Sequence, residues 1–307
     1  MRLTYSVIGT GAIGGYYGAK LVKSGQDVHF LLRSDYDFVK KNGLQIDSCD
    51  GSFHLGHPQV YNNTMDMPKS DVVLVCLKTV NNDNLIQLLP PLLHKETVVV
   101  LIQNGIGVEA DVEKMFPDVQ LVAGLAFICS AKTEPGHINH QCYGNINLGN
   151  YSCKNEAVFQ QLLTDLNQAD VDAKSVEYSE ARWKKAVWNM PFNGMTVALN
   201  TRTDLLLKNP KTRKLIHDQM LEVIGAAQQL GVKSIDLSFA DRMIQYTDVM
   251  TPYSPSMKLD FDFHRKMEID YLYSRPIALA REAGFAMPKL EMLEALLRFK
   301  EEHKESI

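Results

Sequence analysis

Three glycines near the start of the chain have the spacing of a phosphate-binding turn. Gly9, Gly11 and Gly14 read G-x-G-x-x-G, between an apolar run that predicts a strand and the stretch Ala12 to Val22, which predicts a helix. In such a turn the first glycine permits a tight bend, the second lets a pyrophosphate approach the backbone, and the third lets the helix pack on the strand. The helix N-terminus adds free N–H groups. The pattern favours a dinucleotide site; the alternative is a glycine-rich turn without a ligand.

The residue after the second predicted strand helps to distinguish the two kinds of dinucleotide cofactor. That strand covers Asp27 to Leu32 and is followed directly by Arg33. In NAD-binding domains this strand commonly ends in an acidic residue that holds the ribose 2′-hydroxyl, whereas a guanidinium can bond a 2′-phosphate through two N–H groups. We therefore expect NADP(H) rather than NAD(H). Asp35 nearby keeps a solvated loop arginine open as the alternative.

Two more predicted strands, Asp71 to Leu77 and Thr97 to Ile102, are near-continuous apolar runs that end close to polar residues. Lys78 follows the first strand, and Asn104 follows the second. In an open parallel sheet, ligands bind beyond the carboxyl ends of the strands. Glycine and polar features at several such ends indicate one shared site, although Lys78 or Asn104 alone would be an ordinary loop residue.

A lysine and two asparagines in the second half of the chain are spaced four residues apart. Lys185, Asn189 and Asn193 stand at i, i+4 and i+8, so on a helix they lie on one face. Pro191 lies between them and should kink that helix because it lacks a backbone donor. A polar stripe among aromatic and aliphatic residues is unusual for a core, and it indicates a ligand site; the alternative is a solvated helix face.

The distribution of strand and helix patterns predicts two domains. The first half carries the apolar runs above, a helix over Val80 to Leu89, a strand over Leu121 to Phe127, and an antiparallel ribbon over Gly136 to Gly149. A β-hairpin within Gly43 to Tyr61 looks inserted into this half. The second half reads as successive helices, one of them over Tyr271 to Glu282. The fold class is therefore α/β, with a doubly wound (Rossmann) parallel-sheet domain at 1–177 and an all-helical domain at 178–307. We expect the last residues, 302–307, to fray.

Composition narrows the classes of function. The 307 residues carry a formal net charge of −4, which gives no basic field for nucleic acid. No run of about 18 apolar residues predicts a membrane span, and the N-terminus lacks a signal-peptide pattern. The five cysteines form no C-x-x-C pair, and His137 and His140 would lie on opposite faces of a strand. We expect a cytoplasmic protein with reduced cysteines, no metal site and a small-molecule substrate.

Taken together and in order, these motifs resemble those of the ketopantoate reductases (2-dehydropantoate 2-reductases), NADPH-dependent enzymes of pantothenate synthesis. The resemblance covers essentially the whole chain. The residues that carry it are Gly9-Thr10-Gly11-Ala12-Ile13-Gly14, Arg33, Lys78, Gln103-Asn104-Gly105, Trp183, Lys185, Asn189, Asn193, Ser256-Met257, Asp260 and Glu268-Ile269-Asp270. No single motif is decisive, and the set is more specific for the family than for the substrate.

The resemblance implies a role for each of these side chains. Lys185 would protonate the 2-keto oxygen as hydride arrives from the nicotinamide, and Glu268 would accept a hydrogen bond from the substrate or orient the lysine. A buried Glu268 would also hold Lys185 protonated at neutral pH. Ser256 would bind the substrate carboxylate. Substrate contacts are implied for Asn104, Asn189, Asn193 and Ser256. Cofactor contacts are implied for Gly9, Thr10, Gly11, Ala12, Ile13, Gly14, Arg33, Lys78 and Asn104.

Three departures from the family pattern lie on the substrate side. Tyr253 stands where the family has an asparagine, Arg275-Pro276 falls where an Asn-Gly is usual, and Gly194 replaces a proline. They keep open a different small 2-oxo or hydroxy acid as substrate. A non-catalytic NADP-binding regulator is a further alternative, against which the presence of both Lys185 and Glu268 argues. Helical second domains often pair subunits, so a homodimer also stays open.

Overall fold

The computed structural model describes residues 1–303 in two compact units. The first comprises Met1–Gln103 and Val108–Tyr178, and the second comprises Asn104–Gly107 and the chain from Ser179 onward. The short segment Asn104–Gly107 thus belongs with the helical half, which a single boundary in the sequence does not anticipate. The tail expected to fray lies largely outside the described residues, and the last helix runs to Glu302.

The first unit is built on one ten-stranded sheet with the order β4-β3-β9-β8-β7-β6-β1-β2-β5, with β10 paired to β9. The strands are β1 Thr4–Ile8, β2 Asp27–Leu31, β3 Leu44–Ser48, β4 Phe53–Leu55, β5 Gln59–Tyr61, β6 Val72–Val75, β7 Val98–Leu101, β8 Gln120–Glu134, β9 His137–Asn150 and β10 Ala173–Val176. Nearly all pairs are parallel; β3 with β4 and β8 with β9 are antiparallel. The predicted doubly wound class is confirmed.

The order of the strands reverses beside β1. β1 pairs in parallel with β2 on one side and with β6 on the other, with Ile8 opposite both Leu31 and Val75. Such a reversal opens a crevice at the carboxyl ends of the two diverging strands, where open α/β sheets bind ligands. Every residue of β6 and β7 is buried, as their continuous apolar sequence predicts for central parallel strands.

The helices of the first unit cover the sheet. They are α1 Ala12–Lys23, α2 Tyr36–Asn42, α3 Leu85–Leu88, α4 Val108–Met115 and α5 Glu156–Gln168, with 3-10 turns at Thr64–Asp66, Thr79–Asn84 and Pro90–Leu92. The single helix expected after Lys78 is wrong in type: a 3-10 turn leads into the one-turn α3. The run Asn81-Asn-Asp-Asn84 explains this, because asparagine and aspartate side chains compete with the helical backbone for hydrogen bonds.

The predicted hairpin and ribbon are both present, with wider pairing than expected. β3 and β4 form the hairpin, with Ile46 opposite Phe53, but β3 also pairs in parallel with β9, where Ser48 lies opposite His140. The hairpin is therefore part of the main sheet rather than an insertion beside it. The strand expected at Leu121 to Phe127 continues to Glu134 as β8 and makes the ribbon with β9.

Helices are the only regular elements among the described residues of the second unit. Its helices are α6 Tyr178–Ala198 (whose first residue belongs to the first unit), α7 Thr203–Lys208, α8 Pro210–Gln229, α9 Ser238–Asp248, α10 Ser256–Asp262, α11 Arg275–Glu282 and α12 Pro288–Glu302. A π-helical turn, Asp270–Ser274, precedes α11 and replaces the start of the helix expected from Tyr271. Buried Glu222 of α8 accepts hydrogen bonds from the N–H groups of Lys289 and Leu290, which caps α12.

Helix α6 continues through Pro191, and a tyrosine from another segment enters its backbone hydrogen bonds just beyond the proline. The hydroxyl of Tyr273 donates to the carbonyl oxygen of Met190 at 2.6 Å and accepts from the N–H of Gly194. Those two groups would otherwise bond each other along the helix. The hydroxyl thus sits between consecutive turns, a known cause of helix bending. A Cβ on residue 194 would lie 2.7 Å from this hydroxyl, so the position requires glycine.

Candidate active site

The glycine turn of the first unit contains two glycines required by packing and one that faces open space. Gly9 has a φ of +92°, and a Cβ there would lie 2.8 Å from the backbone nitrogen of Leu77. A Cβ on Gly14 would lie 2.4 Å from the carbonyl oxygen of Gly9. A Cβ on Gly11 would meet no protein atom within 4 Å. Packing within the protein therefore does not require glycine at position 11, and the open space there would let a ligand approach the backbone.

The N-terminus of α1 is arranged to receive an anion. Gly11 is its N-cap residue, no side chain caps it, and the first turn carries no acidic residue. The half-buried Ala12 and Ile13 occupy that turn, so the free N–H groups lie among apolar side chains. The Thr10 hydroxyl donates to the carbonyl oxygen of Leu31 at 2.8 Å, which ties the turn to the end of β2. These features fit a pyrophosphate.

Arg33 follows β2 and is exposed, and no carboxylate occupies positions 31–34. The neighbouring Asp35 is buried and accepts hydrogen bonds from Lys132 at 2.8 Å, from Ser34 and from the N–H of Gly136. Burial alone would raise the pKa of Asp35, but these bonds outweigh it and hold the pKa below its ordinary value. The Asp35 charge is matched by Lys132, so Arg33 does not depend on it for a counter-ion.

The loops that follow β6 and β7 are joined by a buried pair of amide side chains. Gln103 donates to the carbonyl oxygen of Leu77 at 2.7 Å and to Asn82 at 2.6 Å. Lys78 lies between Leu77 and Asn82 in the sequence and is half-buried. The polar residues Asn82 and Gln103 therefore fix the loop that carries Lys78. Sequence reasoning gave Asn82 no role, and an asparagine-rich run offers no signal that singles it out.

In the second unit, the segment Asn104–Gly107 is held against the π-helical turn. The N–H of Ile106 donates to the carbonyl oxygen of Tyr271 at 2.9 Å. Gly105 has a φ of +103°, and a Cβ there would lie 2.6 Å from Tyr271. The side chain of Arg275 packs against Gly107. Only glycine at position 105 allows this close approach to Tyr271. The Asn-Gly dipeptide is therefore required by packing, in addition to forming a turn.

A small cavity opens beside this segment. It is lined by Gly105, Ile106, Arg182, Lys185, Ala186, Asn189, Tyr271 and Leu272. Lys185 and Asn189 therefore meet in one cavity, as their spacing on α6 predicts. Arg182 and Tyr271 were not predicted. Arg182 could have been suspected because it lies one turn before Lys185, whereas Tyr271 depends on a tertiary contact that no local pattern shows.

The electrostatic environment of Lys185 differs from the expectation. Burial and, to a smaller extent, the positive charge of Arg182 lower the pKa of Lys185, while the negative charge of Glu268 opposes both; the net pKa is about 7. Glu268 favours the protonated lysine, as expected, but burial and Arg182 outweigh its attraction, so the carboxylate does not by itself hold Lys185 protonated at neutral pH. The lysine is instead poised to gain and lose a proton near neutral pH, which suits a general acid.

The remaining predicted residues of the second unit lie outside the lining of this cavity. Asn193 is buried; its amide donates to the carbonyl oxygen of Asn189 at 2.9 Å and accepts from the N–H of Met257 at 3.1 Å. It therefore fastens α6 to the start of α10, where half-buried Ser256 is the first helical residue. Asn104 is also half-buried, one residue before the lining begins.

Models of one family match both units. The model described as ketopantoate reductase PanE/ApbA matches residues 5–152, and the model of its C-terminal domain matches residues 177–301. The chain belongs to the ketopantoate reductase family. Among the described residues, no helix is both long and apolar enough to cross a membrane.

Individual relatives of the ketopantoate reductase family agree with this assignment. The 2-dehydropantoate 2-reductase of Nostoc sp. is 43% identical over 301 residues, which are 96% of this chain and 94% of that protein. The crystal structure of a 2-dehydropantoate 2-reductase from Geobacter metallireducens is 38% identical, with a TM-score of 0.93 over 97% of this chain and 99% of that one. A D-mandelate dehydrogenase with NADH and anilino(oxo)acetate shares the fold at 23% identity, with a TM-score of 0.88 over 98% and 99%.

Two departures from the ketopantoate reductase pattern have structural explanations. Arg275 packs on Gly107, as described above, and so supports the segment that lines the cavity. The backbone carbonyl of Tyr253 accepts hydrogen bonds from the N–H and hydroxyl of Thr203, and its ring lies 6.4 Å from that of Trp188. Of these contacts, only those of the Arg275 side chain and the Tyr253 ring depend on the departing residue.

Proposed function

We propose that this chain catalyses the NADPH-dependent reduction of 2-dehydropantoate to pantoate, a step of pantothenate and coenzyme A biosynthesis. The observation that carries the proposal is Lys185: it lines a cavity on the helical unit of a ketopantoate reductase and has a pKa of about 7. The 43% identity to a 2-dehydropantoate 2-reductase supports the choice of keto acid.

In the proposed reaction Lys185 acts as the general acid. When bound, the nicotinamide supplies a hydride to the carbonyl carbon of the substrate. The carbonyl oxygen then gains negative charge, and the ammonium group of Lys185 stabilises that charge and donates the proton that forms the hydroxyl. Glu268 is buried and favours the protonated form of the lysine, so it supports Lys185 in this role.

We further propose how the substrate is held. Asn189 shares the cavity lining with Lys185, so its amide is placed to hydrogen bond the keto acid. Asn104 and Ser256 are assigned to the nicotinamide-proximal part and to the substrate carboxylate on the strength of the family pattern. Asn193, whose amide oxygen already accepts from Met257, acts by positioning the start of α10, next to Ser256.

The cofactor is proposed to bind along the first unit. Gly9, Thr10, Gly11, Ala12, Ile13 and Gly14 form the turn for its pyrophosphate. Arg33 would bind the 2′-phosphate, which requires a cation and would be repelled by a carboxylate. Lys78 follows β6 at the same switch point and supplies a second positive charge for cofactor or substrate.

The test is NADPH oxidation by the purified protein in the presence of 2-dehydropantoate. We expect turnover with NADPH, with a clear preference over NADH, and a lower kcat/KM for 2-oxo acids of other shapes. Protein carrying Lys185→Ala, prepared in the same way, controls for contaminating reductases. NADPH binding without turnover of 2-dehydropantoate would contradict the substrate assignment while leaving the cofactor assignment standing.

The proposal also covers the oligomeric state of the protein and its cellular compartment. Helix α12 buries Leu290, Leu293 and Leu297 but exposes Met292, Leu296 and Phe299 along one face. Exposed apolar stripes of this kind mark association surfaces, so we propose a homodimer in solution, which sedimentation analysis would test. The free cysteines are consistent with the reducing cytoplasm, which is the proposed compartment.

A further inference from the structure

Three potential metal ligands from distant parts of the sequence meet at one edge of the first unit. Cys49 and Asp50 lie in the turn after β3, and His140 lies on the adjacent strand β9. The Cys49 sulfur lies 3.8 Å from His140 Nδ1 and 3.7 Å from a carboxylate oxygen of Asp50. The other oxygen of Asp50 lies 3.9 Å from the same Nδ1. All three donors thus surround one point.

These separations are close to those of a tetrahedral zinc site. Zinc bonds of roughly 2.3 Å to sulfur and 2.0–2.2 Å to nitrogen and oxygen place neighbouring ligands roughly 3.4–3.6 Å apart. The separation of Cys49 Sγ from His140 Nδ1 exceeds those values by a few tenths of an ångström. The two short distances to Asp50 involve its two different oxygens, and with a single oxygen as ligand the three donor atoms lie within 4.8 Å of one another. Small rotations of the exposed Cys49 and Asp50 side chains would close the gap, whereas the buried His140 would stay in place.

The hydrogen bonds of His140 place the lone pair needed for a metal on Nδ1. Its Nε2 lies 2.9 Å from the carbonyl oxygen of Tyr143, which can only accept, so Nε2 carries the proton. In the neutral ring Nδ1 then presents its lone pair toward Cys49, Asp50 and the hydroxyl of Ser48, which lies 2.9 Å away. A backbone carbonyl on the far nitrogen is the arrangement that orients histidines bound to metals.

The surrounding backbone holds His140 in this orientation. Its side chain is 1% exposed, and the Tyr16 ring packs against it with the ring centroids 4.4 Å apart. Tyr143 has a φ of +65°, an unfavourable value for a tyrosine. In this conformation its carbonyl oxygen accepts the hydrogen bond from His140 Nε2. A Cβ on Gly144 would lie 2.8 Å from the Tyr16 hydroxyl, so this corner admits little other than glycine.

We propose that Cys49 Sγ, a carboxylate oxygen of Asp50 and His140 Nδ1 bind a zinc-class divalent cation, with water as the fourth ligand. A thiolate with an imidazole selects a soft or borderline metal over Mg²⁺ or Ca²⁺. The ion would replace the Ser48 contact to Nδ1 and join the turn after β3 to β9. The sequence analysis expected no metal site because the cysteines form no C-x-x-C pair and His137 and His140 would lie on opposite faces of a strand; Cys49 and His140, 91 residues apart, match no such spacing.

The site is tested by metal titration of the reduced, metal-free protein. Zn²⁺ should bind with a stoichiometry of one ion per chain, and Co²⁺ should give the visible and near-ultraviolet bands of a tetrahedral site with a thiolate ligand. Cys49→Ser and Asp50→Asn should each weaken binding at least about tenfold, since even residues outside the coordination shell change affinity by that amount. Asp47→Asn, an exposed carboxylate on β3, is the matched control and should bind normally.

Thermal melting of each variant without metal checks that the fold is intact, and bound Zn²⁺ should raise the melting temperature of the parent protein but not of Cys49→Ser. Alkylation of Cys49 should slow when Zn²⁺ is present. Equal Zn²⁺ affinity in the parent, Cys49→Ser and Asp50→Asn proteins would overturn the proposal, as would a Co²⁺ spectrum without a thiolate band. None of these measurements depends on reductase activity.

Discussion

The glycine turn of the first unit and the lysine cavity of the second differ in how their positive charge depends on pH. The turn offers fixed dipoles, the backbone N–H groups at the start of α1, and an exposed arginine after β2, a residue type that carries a permanent positive charge. The cavity places Lys185 among buried groups that lower its pKa to about 7. Cofactor binding should therefore be nearly independent of pH around neutrality, whereas the proton transfer should depend on it strongly.

The largest effect is expected at the lysine. Lys185→Ala removes the proposed general acid and should lower kcat by about 10²- to 10⁴-fold, with little change in NADPH affinity. Lys184→Ala is the matched control, since Lys184 pairs with Glu180 along the helix and does not line the cavity. Steady-state rates and NADPH fluorescence titration measure both. A similar loss of kcat in both variants would count against the assignment of Lys185.

Arg33→Ala should separate the two dinucleotides. Loss of charge-assisted hydrogen bonds to a 2′-phosphate costs about 1.5–3 kcal/mol, which corresponds to roughly a ten- to hundredfold weaker binding of NADPH. NADH lacks that phosphate and should bind the variant as it binds the parent protein. Titration with both cofactors provides the comparison, and an equal loss for both would show that Arg33 acts through structure.

Two glycine substitutions distinguish packing from ligand approach within the turn. Gly14→Ala places a methyl group 2.4 Å from a backbone oxygen and should destabilise the protein by about 1–3 kcal/mol. Gly11→Ala has room in the protein, so its free energy of unfolding should stay unchanged while NADPH binding weakens. Denaturant unfolding and cofactor titration measure the two effects. Loss of stability in Gly11→Ala would contradict the assignment of its open space to the pyrophosphate.

The smallest change is a displacement of the pH profile. Only the protonated lysine can donate, so kcat should fall as pH rises through about 7. Arg182→Gln removes a cation that lowers this pKa, so the decline should move to higher pH. Arg182→Lys retains the charge and should leave the profile near that of the parent. A profile that does not move in Arg182→Gln would exclude Arg182 as a determinant of the lysine pKa.

Local patterns predicted the first unit better than the second. The apolar runs of β6 and β7 and the glycine turn are set by neighbours in the sequence, and they lie where they were expected. The type of the helix after Lys78 was wrong because its asparagines bond elsewhere. The lysine pKa was also misjudged, because burial in the cavity depends on Tyr271 and on the segment Asn104–Gly107, which only the tertiary fold brings together.

The Tyr273 hydroxyl bridges Met190 and Gly194. The final geometry of α6 therefore depends on a segment that comes much later in the chain. The bridge joins residues 83 positions apart, and contacts over such separations form slowly because a long loop must close first. The turn of α6 after Pro191 cannot reach its native hydrogen bonding before the segment Asp270–Ser274 has packed. A nascent chain that lacks its last third would thus carry α6 with its second half not yet fixed by this bridge.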